Sequence, residues 1–284
     1  MSAFFDILDL DDSASLLPAV SFTVGGFPVT NLQALYLFED GAVGSSPTTA
    51  LDSSGNDNTA TLVSGSSITR IAGGVKTGDS LNNGFLFDTP VAYSGSFTIV
   101  GVVRARAPTS TSGSFPTIHG ASGSNTASGV GGLIGQNNTG TRGRLLLNQD
   151  SSTAVDSVNM SLYQTKTDGT TAWDGSGSIR PQPPAVSPRQ TWVAYALSVN
   201  ASTGELILRS NGNTLTFTAL SDLTTFITGA GFHTFGYGRF GTSNVTMGDV
   251  GLFGIYSGAS DVATLNSLID CAKSRMTLRG ITAV

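Results

Sequence analysis

The residues best suited to chemistry in this sequence lie in a polar loop around Trp173. The indole of Trp173 and the carboxylate of Asp174 are adjacent there, and few apolar residues nearby offer a core for the indole. A sugar ring needs an aromatic face for stacking and an acceptor for its hydroxyls, so this pair fits saccharide binding. Trp173 could instead fold over a strand end or fill a subunit interface. Weaker candidates from neighbouring loops are Tyr163, Arg180, Asn137 and Asn138.

Paired carboxylates, the groups that cut glycosidic bonds, have little support in this chain. Glu39 ends one apolar run and Glu205 begins another, and both positions are typical of strand ends. Glycoside hydrolysis needs two carboxyl groups close together, which residues two apart on one strand would provide, and no Glu-x-Asp-x-Glu run occurs here. The histidines, His119 and His233, lack a second His, Cys or Glu at metal-ligand spacing, which argues against zinc. We therefore expect a protein that is not an enzyme.

A second candidate site is a short loop that contains Asp52, Asn56 and Asp57. Carboxylate, amide and carbonyl oxygens are the ligands that calcium takes, so one interpretation is a calcium site. The alternative is a tight turn in which the same side chains accept or donate hydrogen bonds to the backbone. The sequence indicates no other cofactor.

Composition limits the classes of partner. Only 12% of the 284 residues are charged, and the formal net charge is −5. Affinity for nucleic acid depends on clustered Lys and Arg, so nucleic acid is not an expected partner. No apolar stretch approaches the ~20 residues of a membrane span, and the chain starts without the pattern of a secretory signal. The single cysteine, Cys271, cannot form an intrachain disulfide.

Short apolar runs bounded by Gly, Asn, Asp and Ser predict an all-β protein. In the strand expected at 192–199, the odd-numbered residues form the more apolar face and are expected to point inward. An Asn-Gly turn at 211–212 predicts a hairpin. The predicted strands cover residues 34–38, 97–105, 143–148, 192–199, 205–209, 214–219, 232–240 and 245–256.

The C-terminal region changes to a helical period. Apolar residues recur at three- and four-residue spacing from Val262 to Ala272, and Ser260 is the expected N-cap. Asp261 then lies at the positive end of the helix dipole. We expect one short amphipathic helix that covers a sheet edge or an end of the sandwich, with Cys271 on it as a small, buried or half-buried residue.

Residues 1–30 differ from the rest of the chain. Apolar side chains alternate with aspartates there and cannot be buried locally, so this segment is predicted to be an anchor or assembly segment, and residues 31–284 a β-sandwich domain. It could dock on its own sandwich, pair with neighbouring subunits or enter a larger assembly. The predicted assembly residues are Phe4, Phe5, Ile7, Leu8 and Leu10.

Four segments, in order along the chain, carry a family resemblance. They are residues 35–41 with 51–58, the run 96–104, the strands 192–195 and 204–212, and the run 248–256 followed by the helix after Ser260. As an ordered set that spans roughly residues 32 to 280, they resemble the concanavalin A-like, laminin-G-type jelly-roll domains, including those of bacteriophage tail or head appendage proteins. The resemblance implies an antiparallel β-sandwich of about a dozen strands with a short C-terminal helix.

The resemblance also sets the functional expectations. Domains of this family recognise carbohydrate or protein, and a minority degrade polysaccharides. We expect a non-catalytic, lectin-like virion appendage that binds host-surface glycan and contacts other virion proteins through the N-terminal segment. Weak single-site affinity favours a homo-oligomer, most simply a trimer. The alternatives are a decoration protein of a phage particle without a ligand and, less favoured, a polysaccharide-degrading enzyme of the same fold.

Overall fold

A computed structural model describes residues 23–65, 68–76, 85–92, 95–105, 117–121, 145–151, 158–165, 171–172, 178–179, 191–218, 232–238 and 248–284. In chain order the described strands are β1 (Thr23–Val24), β2 (Phe27–Pro28), β3 (Leu32–Tyr36), β4 (Thr49–Ala50), β5 (Ala60–Gly65), β6 (Thr69–Ile71), β7 (Gly74–Lys76), β8 (Phe85–Ala92), β9 (Phe97–Ala105), β10 (Thr117–Ala121), β11 (Leu145–Ser151), β12 (Val158–Thr165), β13 (Thr171–Ala172), β14 (Ser178–Ile179), β15 (Val193–Asn200), β16 (Glu205–Ser210), β17 (Asn213–Thr218), β18 (Phe232–Gly238) and β19 (Gly248–Ser257). The described helix is α1 (Val262–Leu278).

The described strands form two large antiparallel sheets and one small hairpin. Sheet I has the order β13-β12-β11-β10-β18-β8-β5-β4, with β14 also paired to β12. Sheet II has the order β17-β16-β15-β9-β19-β7-β6, with β3 also paired to β19. β1 and β2 pair with each other. This arrangement confirms the predicted antiparallel β-sandwich with a short C-terminal helix.

An aromatic cluster fills the space between the two sheets. Phe235 of sheet I stacks on Tyr36, Phe87 and Phe253, with ring centroids 4.9, 5.3 and 4.7 Å apart. All four side chains are buried. Each fully buried aromatic or aliphatic side chain contributes roughly 1.5–3 kcal/mol, so this cluster is a principal source of stability.

Strand β15 is buried on both faces. The odd-numbered residues from Val193 to Val199 point into the core between the sheets, as predicted. Ala194 and Ala196 are buried as well, because α1 lies over the opposite face. Inward-facing Tyr195 also requires Gly101 on the neighbouring strand, since a Cβ there would approach the Tyr195 hydroxyl to 2.5 Å.

Helix α1 covers the outer face of sheet II over β15, β9 and β16. The expectation that it would cover a sheet edge or an end of the sandwich is therefore wrong. Small alanines on the outer face of β15 let the helix approach closely. The residues that α1 buries are Leu265, Leu268, Ile269, Ala272 and Met276.

The N-cap of α1 is Asp261 and not Ser260 as predicted. Asp261 has extended backbone angles, and its Oδ1 accepts a hydrogen bond from the Thr264 N–H at 2.8 Å. Ser260 lies one residue earlier, where its N–H donates to Ser198 Oγ at 2.8 Å and fixes the loop onto β15. Cys271 is half-buried on the helix, as expected.

Strand boundaries agree with the sequence most closely where both faces are buried. The prediction for 97–105 matches β9, whereas the strand expected at 34–38 ends at Tyr36. Phe38 has a φ of 53°, which removes it from the strand. Strands β8, β10 and β12 were not predicted, because their apolar and polar residues do not form an uninterrupted apolar run.

Part of the segment assigned to the anchor packs on the sandwich. Phe27 of β2 is fully buried in the apolar layer between sheet II and α1. The predicted assembly residues Phe4, Phe5, Ile7, Leu8 and Leu10 lie outside the described residues. Among the residues that the structure describes, no helix is both long enough and apolar enough to cross a lipid bilayer.

Candidate ligand-binding face

The outer faces of the two sheets differ in chemistry. Helix α1 covers the outer face of sheet II with apolar side chains. On sheet I, strand β8 alternates between buried Phe85, Phe87 and Thr89 and the outward residues Asp88 and Pro90. Among the described residues of sheet I, the exposed outward positions include Thr49, Thr61 and Pro90, and half-buried Asp88 lies among them on the third strand from the β4 edge. We take this part of the outer face as the candidate surface.

A row of polar residues crosses sheet I at Asp88. Asp88 pairs with Thr61 of β5 on one side and with Thr234 of β18 on the other. Thr61 pairs in turn with Thr49, and Thr234 with Gly120. The Asp88 row thus consists of Thr49, Thr61, Asp88, Thr234 and Gly120. Thr49 and Thr61 are exposed.

Asp88 is the ionisable group of this row and lacks a partner. Its side chain is half-buried, and its Oδ1 has no hydrogen-bond partner within the described part of the chain. Burial raises the pKa of Asp88 above its ordinary value. An unsatisfied acceptor that is shielded from water carries a desolvation cost, which a hydroxyl donor that displaced the shielding atoms would offset.

The outward face continues across β11 and β12. Tyr163 pairs with Leu146, and Ser161 pairs with Asn148. Because His119 pairs with both Leu147 and the inward residue Phe235, the neighbours of Leu147 take register positions on the same side of sheet I as the Asp88 row. Tyr163 was predicted to lie in a loop, and this prediction is wrong because the residue lies within strand β12.

Strands β13 and β14 flank the predicted loop around Trp173, and both pair with β12 of sheet I. Ala172 pairs with Gln164, which follows Tyr163 directly, and Ser178 pairs with Ser161. The chain between Ala172 and Ser178 includes Trp173 and Asp174, which lie outside the described residues. The other predicted ligand residues Arg180, Asn137 and Asn138 also lie outside them.

Asp88 escaped the sequence analysis although a signal for it exists. The run Phe85-Leu86-Phe87-Asp88-Thr89 alternates aromatic residues with other side chains, which is the pattern of a strand with one buried face. The charge at the outward position of such a strand marks the exposed face. The sequence could not show that β8 is an interior strand of sheet I, because its partners β5 and β18 are far apart in the chain.

The loop proposed for calcium is a hydrogen-bonded turn. Asp52 Oδ1 accepts hydrogen bonds from the N–H groups of Leu35 and Ser54, at 2.9 and 2.8 Å. Its Oδ2 accepts from Ser54 Oγ at 2.8 Å and from the Asn58 N–H at 2.9 Å. Four donors use the lone pairs of both oxygens, so the carboxylate has none left to direct at an ion.

The other two residues of that loop also shape the turn. Asn56 Nδ2 donates to the Leu32 carbonyl at 2.8 Å, and Asp57 adopts a left-handed φ of 59° that completes the turn. Across the described residues, no group of three His, Cys, Asp or Glu side chains is arranged to hold a metal. The donor set of Asp52, Asn56 and Asp57 therefore fits the turn and does not fit a calcium site.

The two glutamates occupy separate settings. Glu39 Oε1 accepts from Arg275 Nε at 2.8 Å and from Arg279 Nε at 2.9 Å. Burial acts to raise the pKa of Glu39, but the two guanidinium groups lower it below its ordinary value. Glu205 is exposed at the start of β16. Neither acid belongs to the outward face of sheet I.

Two further titratable groups are buried or half-buried away from this face. Burial lowers the pKa of His233 to about 3, and its ring lies edge-on to Phe97 with centroids 4.8 Å apart. Burial, with a contribution from Asp270, raises the pKa of the Cys271 thiol. A thiol with a raised pKa is a poor nucleophile, so the geometry supports a packing role for Cys271.

Comparison with solved structures supports the fold. The chain resembles the binding domain of Paraclostridial Mosquitocidal Protein 1, with a TM-score of 0.52 and 13% identity, over 85% of this chain and 52% of that chain. It also resembles the ligand binding domain of botulinum neurotoxin serotype D in complex with N-acetylneuraminic acid, with a TM-score of 0.53 and 12% identity, over 87% of this chain and 51% of that one. A third match is a structure of botulinum neurotoxin type C, a toxin whose cell entry is described as dependent upon interaction with two ganglioside molecules. Its TM-score is 0.50 at 15% identity, over 82% of this chain and 51% of that one.

This chain spans about half the length of these three structures. At these identities the likeness establishes the β-sandwich fold and does not transfer a binding site. No protein-family model matches the sequence, and the search of curated proteins gives no match.

Proposed function

We propose that this protein is a carbohydrate-binding domain that recognises glycan through the outward face of sheet I and performs no chemistry on it. The observation that carries the proposal is the Asp88 row, in which a half-buried carboxylate, whose Oδ1 has no hydrogen-bond partner among the described residues, is flanked by Thr61 and Thr234. The fold alone does not specify a ligand, so the proposal depends on this site.

The chemistry of the row suits a saccharide. Sugar hydroxyls act as both donors and acceptors, and a carboxylate beside threonines supplies the complementary groups. A hydrogen bond to a charged acceptor contributes about 1.5–3 kcal/mol when the acceptor is shielded from water. Gly120 at the end of the row contributes no side chain.

Aromatic residues extend the proposed site toward the edge of sheet I. Tyr163 belongs to the outward register of β12, and Trp173 follows Ala172, which pairs beside Tyr163. Stacking on an aromatic face adds affinity for a sugar ring. Trp173 and Asp174 therefore remain proposed ligand residues, with Arg180, Asn137 and Asn138 as secondary ones.

The structural neighbours are consistent with this role. One is described in complex with N-acetylneuraminic acid and another by its interaction with two ganglioside molecules. The first is described as a ligand binding domain, and the second by an interaction on which cell entry depends. The separate settings of Glu39 and Glu205 add support, because glycoside hydrolysis requires two carboxyl groups that flank one bond.

The biological setting is proposed from the sequence. We propose that the domain belongs to a virion appendage, that residues 1–30 attach it to other virion proteins, and that it forms a homo-oligomer, most simply a trimer. Several weak sites on one assembly raise avidity by ~10²–10⁴. Deletion of residues 1–22, which keeps buried Phe27 in place, should release the protein from such a particle, and its continued incorporation would reject the anchor.

The binding proposal is tested on an immobilised panel of oligosaccharides, where dense display compensates for weak single-site affinity. Asp88→Ala removes the acceptor and should lower the signal at least tenfold, and Trp173→Ala tests the proposed stacking residue. Asp270→Asn, an exposed carboxylate on α1, is the matched control and should bind as the unmodified protein does.

Thermal unfolding separates loss of binding from loss of folding. Asp88→Ala removes a partly buried charge that lacks a partner, so its melting temperature should be equal or higher. A variant that melts normally and still binds every glycan would reject Asp88 as the centre of the site. Absence of binding by the unmodified protein to the whole panel would reject the proposed function.

A further inference from the structure

Strand β3 has the composition of a strand that readily pairs with other chains. Its strand partner within the described part of the chain is β19, which it meets along one side at Phe253 to Tyr256. The run from Leu32 to Phe38 contains five apolar residues besides Gln33 and Ala34, and no charged residue, proline or glycine. Uncharged, strand-forming runs of six or seven residues self-associate when their edge is exposed. The free side of β3 is therefore a hazard that the fold has to cover.

The turn at residues 51–58 covers the side of β3 that faces away from β19. The Leu35 N–H donates to Asp52 Oδ1 at 2.9 Å, and the Leu35 carbonyl accepts from the Ser53 N–H at 2.7 Å. An antiparallel neighbour would bond to this same pair of groups, because the N–H and carbonyl of one residue face the same edge. The turn thus takes the place of a neighbouring strand at Leu35.

Two asparagine side chains cap the carbonyl groups at the start of β3. Asn58 Nδ2 donates to the Gln33 carbonyl at 2.8 Å, and Asn56 Nδ2 donates to the Leu32 carbonyl at 2.8 Å. Asn56 Nδ2 also lies 3.2 Å from the Gln33 carbonyl. A side-chain amide satisfies a carbonyl without adding a backbone edge of its own, so these contacts end the ladder of hydrogen bonds.

The backbone at both ends of β3 limits the length of the exposed strand. Asn31 has a φ of 63° and Phe38 a φ of 53°, and both values lie in the left-handed region that extended strands do not use. A longer β3 would require a change of backbone at one of these residues. The stretch between them includes the groups of Leu32, Gln33 and Leu35 that the turn caps.

We infer that the turn at residues 51–58 protects the edge of β3 and keeps it from pairing with β3 of a second copy of this chain. A second copy is the expected partner, because the run from Leu32 to Phe38 carries no charge that would oppose its own copy. Two antiparallel copies related by a twofold axis also bring identical surfaces together. The inference does not depend on the proposed glycan site.

Asp52→Ala tests the protection. It uncaps the Leu35 N–H and loosens the turn, since Asp52 accepts four hydrogen bonds there. Sedimentation velocity over a wide range of protein concentration should show species larger than those of the unmodified protein, and their share should grow with concentration. Leu268→Ala lowers stability by removing a buried side chain of α1 and leaves the turn intact, so it should sediment as the unmodified protein does.

A lysine on the edge strand shows whether the association runs through β3. Gln33→Lys places like charges on both copies at a half-buried position of β3 and opposes their pairing. Added to Asp52→Ala, it should restore the sedimentation of the unmodified protein. Ser274→Lys, at an exposed position of α1, is the matched control for the added charge and should leave the association intact.

Two results would overturn the inference. One is an Asp52→Ala protein that keeps the sedimentation of the unmodified protein at every concentration, and the other is association that persists with Gln33→Lys. If Asp52→Ala shows no cooperative thermal transition, Asn56→Ala combined with Asn58→Ala takes its place. That variant removes the capping amides and keeps the bond from the Asn58 backbone N–H to Asp52, and the same two results decide.

Discussion

His233 is a buried imidazole on the inner face of sheet I, and its burial links folding to pH. The side chain is 1% exposed and lies edge-on to Phe97. Desolvation disfavours the charged imidazolium and lowers the pKa of His233 to about 3, against an ordinary value of 6.5. The folded protein therefore holds His233 neutral at pH values where the unfolded chain binds a proton.

The sign of the pH dependence follows from this difference. Between pH 6.5 and about 3 the unfolded state takes up a proton that the folded state refuses, so stability falls as the pH falls. The loss reaches about 1.4 kcal/mol per pH unit. Stability measured by denaturant should drop by ~2–3 kcal/mol between pH 6.5 and 4.5 from this residue alone.

His233→Phe supplies the control, because a phenyl ring can pack on Phe97 and cannot titrate. That variant should lack the His233 component of the acid-induced loss. In an NMR titration of the unmodified protein, His233 should remain neutral down to about pH 4. An imidazole that titrates near 6.5 would show that it is not buried in solution.

The contrast between Asp52 and Asp88 shows how far residue types predict a site. Asp52 was singled out from its spacing with Asn56 and Asp57, and that spacing does mark a structured loop. Calcium and a hydrogen-bonded turn use the same oxygen atoms, so only the positions of the donors distinguish them. Asp88 has no distinctive neighbours in sequence, and its significance depends on partners from β5 and β18.

At the scale of elements, the turn at residues 51–58 holds strand β3 in place. Asp52 links to Leu35 of β3, and Asn56 and Asn58 both donate to the backbone of the same strand. Tyr36, whose hydroxyl donates to the Asn58 carbonyl at 2.6 Å, joins this turn to the aromatic core. The Asp52 carboxylate thus fixes the turn between β4 and β5 against β3.

Replacement of Asp52 should destabilise the protein strongly. Asp52→Ala leaves four donors without their acceptor and should cost roughly 2–4 kcal/mol of unfolding free energy. Asp52→Asn should be nearly as harmful, because its amide NH₂ would face donors. Asp57→Asn is the matched control, since Asn tolerates the left-handed backbone at that position.

Calcium addition completes this test. Because the carboxylate of Asp52 is satisfied by protein donors, neither calcium nor a chelator should change the melting temperature of the unmodified protein. A rise with calcium that Asp52→Ala and Asp57→Asn both abolish would restore the metal-site interpretation. Scanning calorimetry with the three proteins measures all of these quantities.

Element prediction succeeded where local pattern and burial agree. β9 and the β16–β17 hairpin were expected from continuous apolar runs and an Asn-Gly turn, and both are present. The helix was expected from its period, yet its docking position was not, because nothing local tells that the helix would lie over the outward-facing Ala194 and Ala196. Strands β8 and β18 pair across a long stretch of sequence, which a local pattern does not encode.

At the scale of the whole molecule, the described elements form three layers, which are helix α1, sheet II and sheet I. The helix covers the outer face of sheet II. Strands β9, β15 and β19 lie between the aromatic core and helix α1, and their residues are buried almost throughout. On the other side, the outward residues of sheet I include exposed Thr49 and Thr61. Helix α1 therefore covers one sheet, and the proposed binding face lies on the other.

Hydrogen exchange should reveal this division. Amides of β9 and β15 are paired on both sides and covered on both faces, so they should exchange only through global unfolding. Amides of the edge strand β17 should exchange faster by local opening. Native-state exchange measured across a series of low denaturant concentrations distinguishes the two mechanisms, because only global unfolding responds to denaturant with the full slope.

Helix α1 decides whether β9 and β15 belong to the most stable unit. Leu268→Ala removes a buried contact of α1 with sheet II and should lower the global unfolding free energy by about 2–5 kcal/mol. Exchange of β9 and β15 should accelerate to match that loss, since their exchange reports global unfolding. If the helix amides alone accelerated while β9 and β15 kept their protection, α1 would be a separately opening layer and the sandwich would be stable without it.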